Sequence, residues 1–464
     1  MHNHREKGVI IIYEVIIIFI LSVVLLAVLS NAAFQLKAIR STINREQAFQ
    51  IAEAGVNYYQ WRLSHFPTDY QDGTGAAGPY VHDYRDQDTT QIIGRFSLDV
   101  TPPPVGSTVV TISSTGWTLD NPSQKRTIVT RYGIPSLAKY AFLTNAAVWI
   151  GQNESVTGEL HSNNGIRFDG TGNAPITSAK QTYTCYSWQG SPCPAAKDGI
   201  WGSAAQSTKN FWQHPVPAVD FSSITSDLAQ IKNDAQTDGL YLPPSNRQGY
   251  SLVFNANGTV TVYKVTSLRS TPSAWDVNGN VHNEDLDYNN RTLQFTQALP
   301  ANGLIYVEDR TWVEGTIAGR VMVTAARLPY NSSTAPSILI PNNIVYSAKD
   351  GSSSLGLLAQ KDIIVTYYSP DNLEIDAAMI AQNGSVQRYN FSGSGSYNIR
   401  NSITTYGAIM SFGVWTWSWV NGSGVVTNGY ESTNTTYDSN LLYSPPPSFP
   451  LAADEYQQVS WTSN

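Results

Sequence analysis

The stretch Val9-Ile10-Ile11-Ile12-Tyr13-Glu14-Val15-Ile16-Ile17-Ile18-Phe19 opens an apolar run that continues to Phe34 and carries a single acid, Glu14. At ~1.5 Å rise per residue, a helix over 9–34 is long enough to cross a bilayer. Ahead of it stands a polar stub, residues 1–8, whose Arg5 and Lys7 favour a cytoplasmic N-terminus. No small-residue cleavage site follows Phe34, so the run reads as a retained transmembrane helix and not as a cleaved secretory signal.

The helical pattern continues past the membrane. Between Gln35 and Phe66 there is no proline, and only Gly55 interrupts the run. Phe49, Ala52, Val56, Tyr59 and Leu63 recur at alternating three- and four-residue steps, a narrow seam for packing on another surface. One helix over 9–66 is expected, about 85 Å long by the standard rise. Behind it, Arg95 to Thr101, Thr108 to Ser114 and Arg126 to Arg131 read as strands, divided by Pro102-Pro103-Pro104 and Asp120-Asn121-Pro122. Residues 67–136 therefore read as a small antiparallel β domain on which the seam packs.

Lys7-Gly8, the apolar run with its single glutamate, and Ala52-Glu53-Ala54-Gly55 between Phe49 and Tyr59 resemble the N-terminal helix of type IV pilin-like proteins, the minor pilins in particular. Ser113-Ser114-Thr115-Gly116 resembles a stretch of the same family's sheet. The resemblance implies a leader over 1–8, removed by a prepilin peptidase between Gly8 and Val9, with methylation of the new N-terminus. It implies a minor pilin or pseudopilin of a type IV pilus or type II secretion-like filament, held in the inner (cytoplasmic) membrane as a precursor and then carried to the cell surface. Its partners would be other pilin subunits, the membrane before assembly, and the peptidase. Glu14 is then the assembly contact, the sixth residue of the processed chain where the family places its glutamate fifth. An ionised carboxylate in hydrocarbon needs a partner. The N-terminal amine of Val9 on a neighbouring subunit would supply one.

From Ala141 onward, short strands alternate with Gly/Asn turns. Leu160 to Ile166, Leu358 to Ile363 and Ile380 to Val386 look alike, and the last two are 22 residues apart, the length of one parallel coil. Residues 137–440 are expected to form a parallel β-solenoid ectodomain, with 180–300 inserted as decoration and 441–464 as a Pro-rich tail. The insertion would hold a helix over Ser222 to Gln236 and a hairpin over Ser251 to Val265 turning at Asn257-Gly258. Gly303-Leu304-Ile305-Tyr306-Val307-Glu308 and Gly315 to Val321 resemble a right-handed β-helical domain of pilus-associated surface proteins. The fold class is thus mainly β behind a long N-terminal helix.

Composition suits an exported surface protein: 14% of residues are charged, while Tyr and Trp number 26 and 12. A net charge of -7 without a Lys/Arg cluster offers no surface for nucleic acid. The only two cysteines, Cys185 and Cys193, bracket a Gly/Pro-containing loop and read as a disulfide, with a metal site as the weaker reading. No nucleophile elbow, P-loop or His-Glu-x-x-His occurs. Glu308, Asp309, Asp362, Glu374 and Asp376 lie on expected coils and read first as solvated turn acids.

Asp276, Asn278, Asn280, Glu284 and Asp287 recur at roughly alternating positions, as calcium ligands do, although Gly279 falls at the fourth place of the loop and not the sixth. An exposed acidic loop is the plainer reading, and no other cofactor is implied. Trp415, Trp417 and Trp419 would share one strand face, either as a platform for a surface glycan or as a cap on the last coil. The sequence is thus read as a non-enzymatic filament subunit whose head serves filament initiation, tip assembly or adhesion. Its alternatives are a membrane-anchored monomeric surface adhesin and a β-helical glycan-active enzyme.

Overall fold

The computed structural model describes residues 5–104, 106–221, 228–282, 284–421 and 424–463, with the side chains of 5–10 left aside. The architecture is mainly β, with one long apolar N-terminal helix, an antiparallel sheet and many further strands. The chain divides into two units, one of Met1–Pro102, Val109–Gly133 and Glu455–Asn464, the other of Pro103–Thr108 and Ile134–Asp454.

In the first unit, helix α1 (Arg5–His65) is continuous, and the chain leaves helical geometry just ahead of Pro67, whose ring cannot extend the ladder. Residues 11–43 are exposed. Farther along, Ala52, Val56, Tyr59 and Leu63 of the seam are buried, Phe49 is partly buried, and Ala48 and Ile51 join them. They cover strands β1 (Tyr80–Arg85), β2 (Ile92–Thr101), β3 (Val110–Thr118) and β4 (Arg126–Gly133), all antiparallel neighbours. Burial along β3 alternates strictly, so Val110, Ile112, Ser114, Gly116 and Thr118 face the helix.

Two glycines set how closely the helix approaches. A Cβ on Gly116 would collide with the α1 backbone at Ala48 and Ala52, and one on Gly55 with Ser114 and Phe96. The small residues of Ala52-Glu53-Ala54-Gly55 thus have a packing reason. A fifth strand, Gln457–Ser463, pairs antiparallel with β4 and closes the sheet.

The second unit is a solenoid of parallel ladders. In the first ladder Leu240, Ile305, Val323, Leu357, Met379, Ile409, Phe142, Leu160 and Ile176 stand one above the next, and all are buried. A second ladder stacks Ile338, Ile363 and Val386. A third stacks Ile344, Ile375, Thr405, Thr435 and Val156. The alike segments around Leu358 and Ile380 do pair in register, while Leu160 aligns with Leu357 and Met379, one residue off.

Stacking order differs from chain order. The strand Tyr140–Thr144 lies between Ile399–Ser411 and Glu159–Ser162, so the chain enters the solenoid in its middle. It proceeds to one end at Trp212–Gln213, then restarts from the other at Leu240–Leu242 and coils back. This corrects the reading of 180–300 as a pure insertion, because Trp212–Gln213, Leu240–Leu242 and Gly249–Asn255 are rungs. A parallel edge accepts any strand whose apolar column matches its own, whatever the connection.

The link between the two ends is the helix Leu228–Thr237, which matches the later part of the expected helix; residues 222–227 lie outside the described residues. Its Leu228, Ile231 and Ala235 cover the outward side of the first ladder, where Tyr306, Leu358, Ile380, Met410 and Leu143 form a second core. The hairpin Gly249–Asn255 with Thr259–Val265 turns at Asn257-Gly258 as expected. The tail is not free-standing. Leu441 and Phe449 join the second core, and the Arg320 guanidinium donates to the carbonyls of Gly106, Ser444 and Pro445.

Candidate functional site

The first candidate is the exposed part of α1. By length and composition it can cross a membrane, and none of its most apolar window is covered. Glu14 sits there exposed, and among the described residues it makes no hydrogen bond or ion pair. Gly8 and Val9 fall on the α1 backbone, but their side chains lie outside the described residues.

The second candidate is the disulfide loop. Cys185 and Cys193 are joined, with Cα atoms 5.4 Å apart. The loop connects the two strands of the small hairpin Thr182–Thr184 and Ala196–Asp198 and is pinned from within by Gln189, which is fully buried. The Gln189 Nε2 donates to the Val148 carbonyl at 3.0 Å, while its Oε1 accepts the Tyr186 N–H and the Tyr183 hydroxyl, each at 3.1 Å. Arg167 donates to the Gln189 carbonyl, and its guanidinium lies 4.3 Å and 5.0 Å from the ring centres of Trp149 and Trp201. On top of this frame Tyr186 and Trp188 are 46% and 42% exposed, their rings near-parallel at 14° with centroids 5.8 Å apart. In the sequence the two cysteines mark this loop, and its exposed aromatics become visible only in the fold. The signal available was Tyr183, Tyr186 and Trp188 within six residues.

The three indoles do not form one exposed row. Only Ser418–Val420 is strand, so Trp415 and Trp417 precede it, buried in the solenoid core, with Trp415 edge-on to Phe142 at 5.0 Å. Trp419 is half-buried and donates to the Arg388 carbonyl at 2.9 Å. Between the two buried indoles Thr416 bridges in parallel to Gln387, and its hydroxyl donates to the Ser418 carbonyl at 2.5 Å.

The calcium candidates do not converge either. Asp276 accepts the N–H groups of Asn278 and Asn280, the Asn280 side chain at 2.9 Å and His282 at 2.9 Å. Burial raises its carboxyl pKa, but the hydrogen bonds from Asn280 and His282 outweigh burial and hold it below the usual range. Glu284 accepts the Tyr389 hydroxyl at 2.5 Å and pairs with Arg310 at 3.3 Å, while Asp287 accepts from Asn289 and Asn290. No group of three acids, histidines or cysteines arranged for a metal occurs among the described residues. The acids on the coils are separately engaged. Glu308 pairs with Lys232, Asp309 with Arg327 at 3.2 Å and Asp376 with Lys349 at 2.8 Å; Asp362 accepts the Ser385 N–H at 2.8 Å. The Glu374 N–H donates to the Asn343 side chain at 3.0 Å.

No family model and no curated protein matches the chain. Two solved structures are similar over much of its length. One is the competence-associated pilin ComZ from Thermus thermophilus, at a TM-score of 0.30 and 14% identity, covering 91% of this chain and 97% of that one. The other is an ice-binding protein from the Antarctic ascomycete Antarctomyces psychrotrophicus, at 0.27 and 10% identity, covering 66% of this chain and 99% of that one. Likenesses at these scores carry no argument about function, which rests on the geometry above.

Proposed function

We propose that this chain is a non-enzymatic minor pilin-like subunit. Its α1 inserts first in the membrane and then in a filament of a type IV pilus or type II secretion-like system, and its β-solenoid is displayed at the surface for initiation, tip assembly or adhesion. The observation that carries the reading is one unbroken helix with two different lives. Its first half is bare and apolar, and its second half is the spine of a small antiparallel sheet. A plain anchor has no need for a rigid continuation of this kind. Processing by a prepilin peptidase would free the Val9 amine, and Glu14 on a neighbouring subunit would neutralise it inside the apolar bundle, where an unpaired charge costs several kcal/mol.

Absence of enzymatic activity is part of the proposal. It is supported by the separate pairing of Glu308, Asp309 and Asp376, each with its own cation. N-terminal mass spectrometry of the protein recovered from cells is expected to show Val9 as the first residue, carrying a methyl group. An intact Met1 on the surface-exposed protein would rule the filament reading out and leave the anchored adhesin.

A further inference from the structure

We propose that the disulfide-closed loop Cys185–Cys193 is a binding site for a neutral glycan, with Tyr186 and Trp188 as its stacking platform. Water-exposed aromatic rings on a mobile loop would mean little. Here the loop is held by the disulfide, by buried Gln189 and by the Arg167 contact to its carbonyl, so the rings are pre-positioned and little ordering cost remains on binding. Gly190 completes the frame. It adopts φ +77°, and a Cβ there would come within 2.6 Å of the Arg167 guanidinium.

Ligand class follows from charge and area. No residue from Cys185 to Cys193 is charged, so the loop itself offers nothing to recruit an ionic ligand. Ser187 and Ser191 of the same loop are exposed and offer hydroxyl groups. Two aromatic side chains offer at most roughly 300–500 Å² between them, well short of the ~800 Å² per partner of a standard protein interface. A pyranose fits such a site, since its C–H face stacks on a ring while its hydroxyl rim meets polar groups. The two rings stack on one another, so the pair presents its outer face to a single pyranose.

The inference deepens the display reading and rests on it only for where the site is presented. The test uses the full chain in detergent, titrated with chitohexaose, cellohexaose and maltohexaose and followed by calorimetry and tryptophan fluorescence. The expected result is saturable binding of at least one of them. Tyr186→Ala and Trp188→Ala should each weaken it tenfold or more, Trp188→Phe should retain most of it, and Gly190→Ala should weaken it with both rings intact. Trp419→Ala should leave it unchanged. Disulfide mass analysis and thermal melting check that each variant is folded. Failure of all three sugars to bind, preference for sulfated heparin, or unaltered binding by the Tyr186→Ala/Trp188→Ala double variant would overturn the site. Loss of the site with Val9 processing intact leaves the filament reading standing. Glycan binding together with an intact Met1 removes the filament reading alone.

Discussion

The helix-backed sheet and the solenoid bury their cores by opposite means. In the sheet one long helix meets one face, and closeness is set by glycines: Gly116 lets the backbone of Ala48 and Ala52 lie against β3, and Gly55 leaves room for Ser114 and Phe96. In the solenoid the same aliphatic position recurs on each rung and meets the rungs above and below it, so burial is repeated along a column. Close backbone approach occurs there too, at Gly315 and Gly407, but it serves one rung-to-rung contact at a time, whereas in the sheet it sets the seat of the whole helix.

Three substitutions sharpen this contrast. The largest effect is expected from Leu357→Ala, in the middle of the first ladder, with a loss of ~2–5 kcal/mol from buried contacts and the void left behind. Hydrogen exchange should rise across peptides covering 304–325 and 354–381 and stay unaltered over β1 to β4. Next comes Gly116→Ala, which should cost ~1–3 kcal/mol by overpacking against α1. Its exchange signature should be the reverse, confined to 48–63 and to β2, β3 and β4. Equal spreading of either effect through both units would show that the two cores are not independently built.

The smallest effect concerns pH. Burial pushes the Glu154 carboxyl up from 4.5 to about 7, against hydrogen bonds from Gly151 and Thr433 that lower it. The fold thus favours the protonated acid. This contribution is complete below about 4.5 and is lost as pH rises through about 7. Thermal melts from pH 5 to 8.5 should show a downward step that Glu154→Gln removes. A flat wild-type profile would show that the carboxyl is better solvated than its place beside Val156 and Thr433 suggests.

The first unit was largely legible because its signals are local. The three- and four-residue steps from Phe49 to Leu63 and the alternation within β2 to β4 need no knowledge of distant residues. The strand Gln457–Ser463 escaped because it is exposed throughout, so it has no alternation to read, and its partner β4 is more than three hundred residues away. In the solenoid the rungs were visible as apolar runs such as Leu304–Val307, buried on both faces. Their order was not, since the pairing of Ile409 with Phe142 depends on matching columns and leaves no mark on either segment. The tryptophans were legible in part: Trp415 and Trp417 do share a side, both buried in the solenoid core on either side of Thr416, which bridges to Gln387, and Trp419 departs from them. For the glycan site the cysteines gave the frame, while the exposure of Tyr186 and Trp188 required the fold.

The strand that closes the small sheet also sets a clock. Strands β1 to β4 leave the ribosome before the solenoid, and their fifth neighbour comes after it. At ~5–20 residues per second, the exposed side of β4 waits on the order of tens of seconds for its partner. A chain that stops early inside the solenoid never receives it and is left with a four-stranded sheet whose edge is β4 in place of Gln457–Ser463. The sheet that packs on α1 is thus assembled from segments on both sides of the solenoid in sequence, and its last pairing waits for residues made after the whole solenoid.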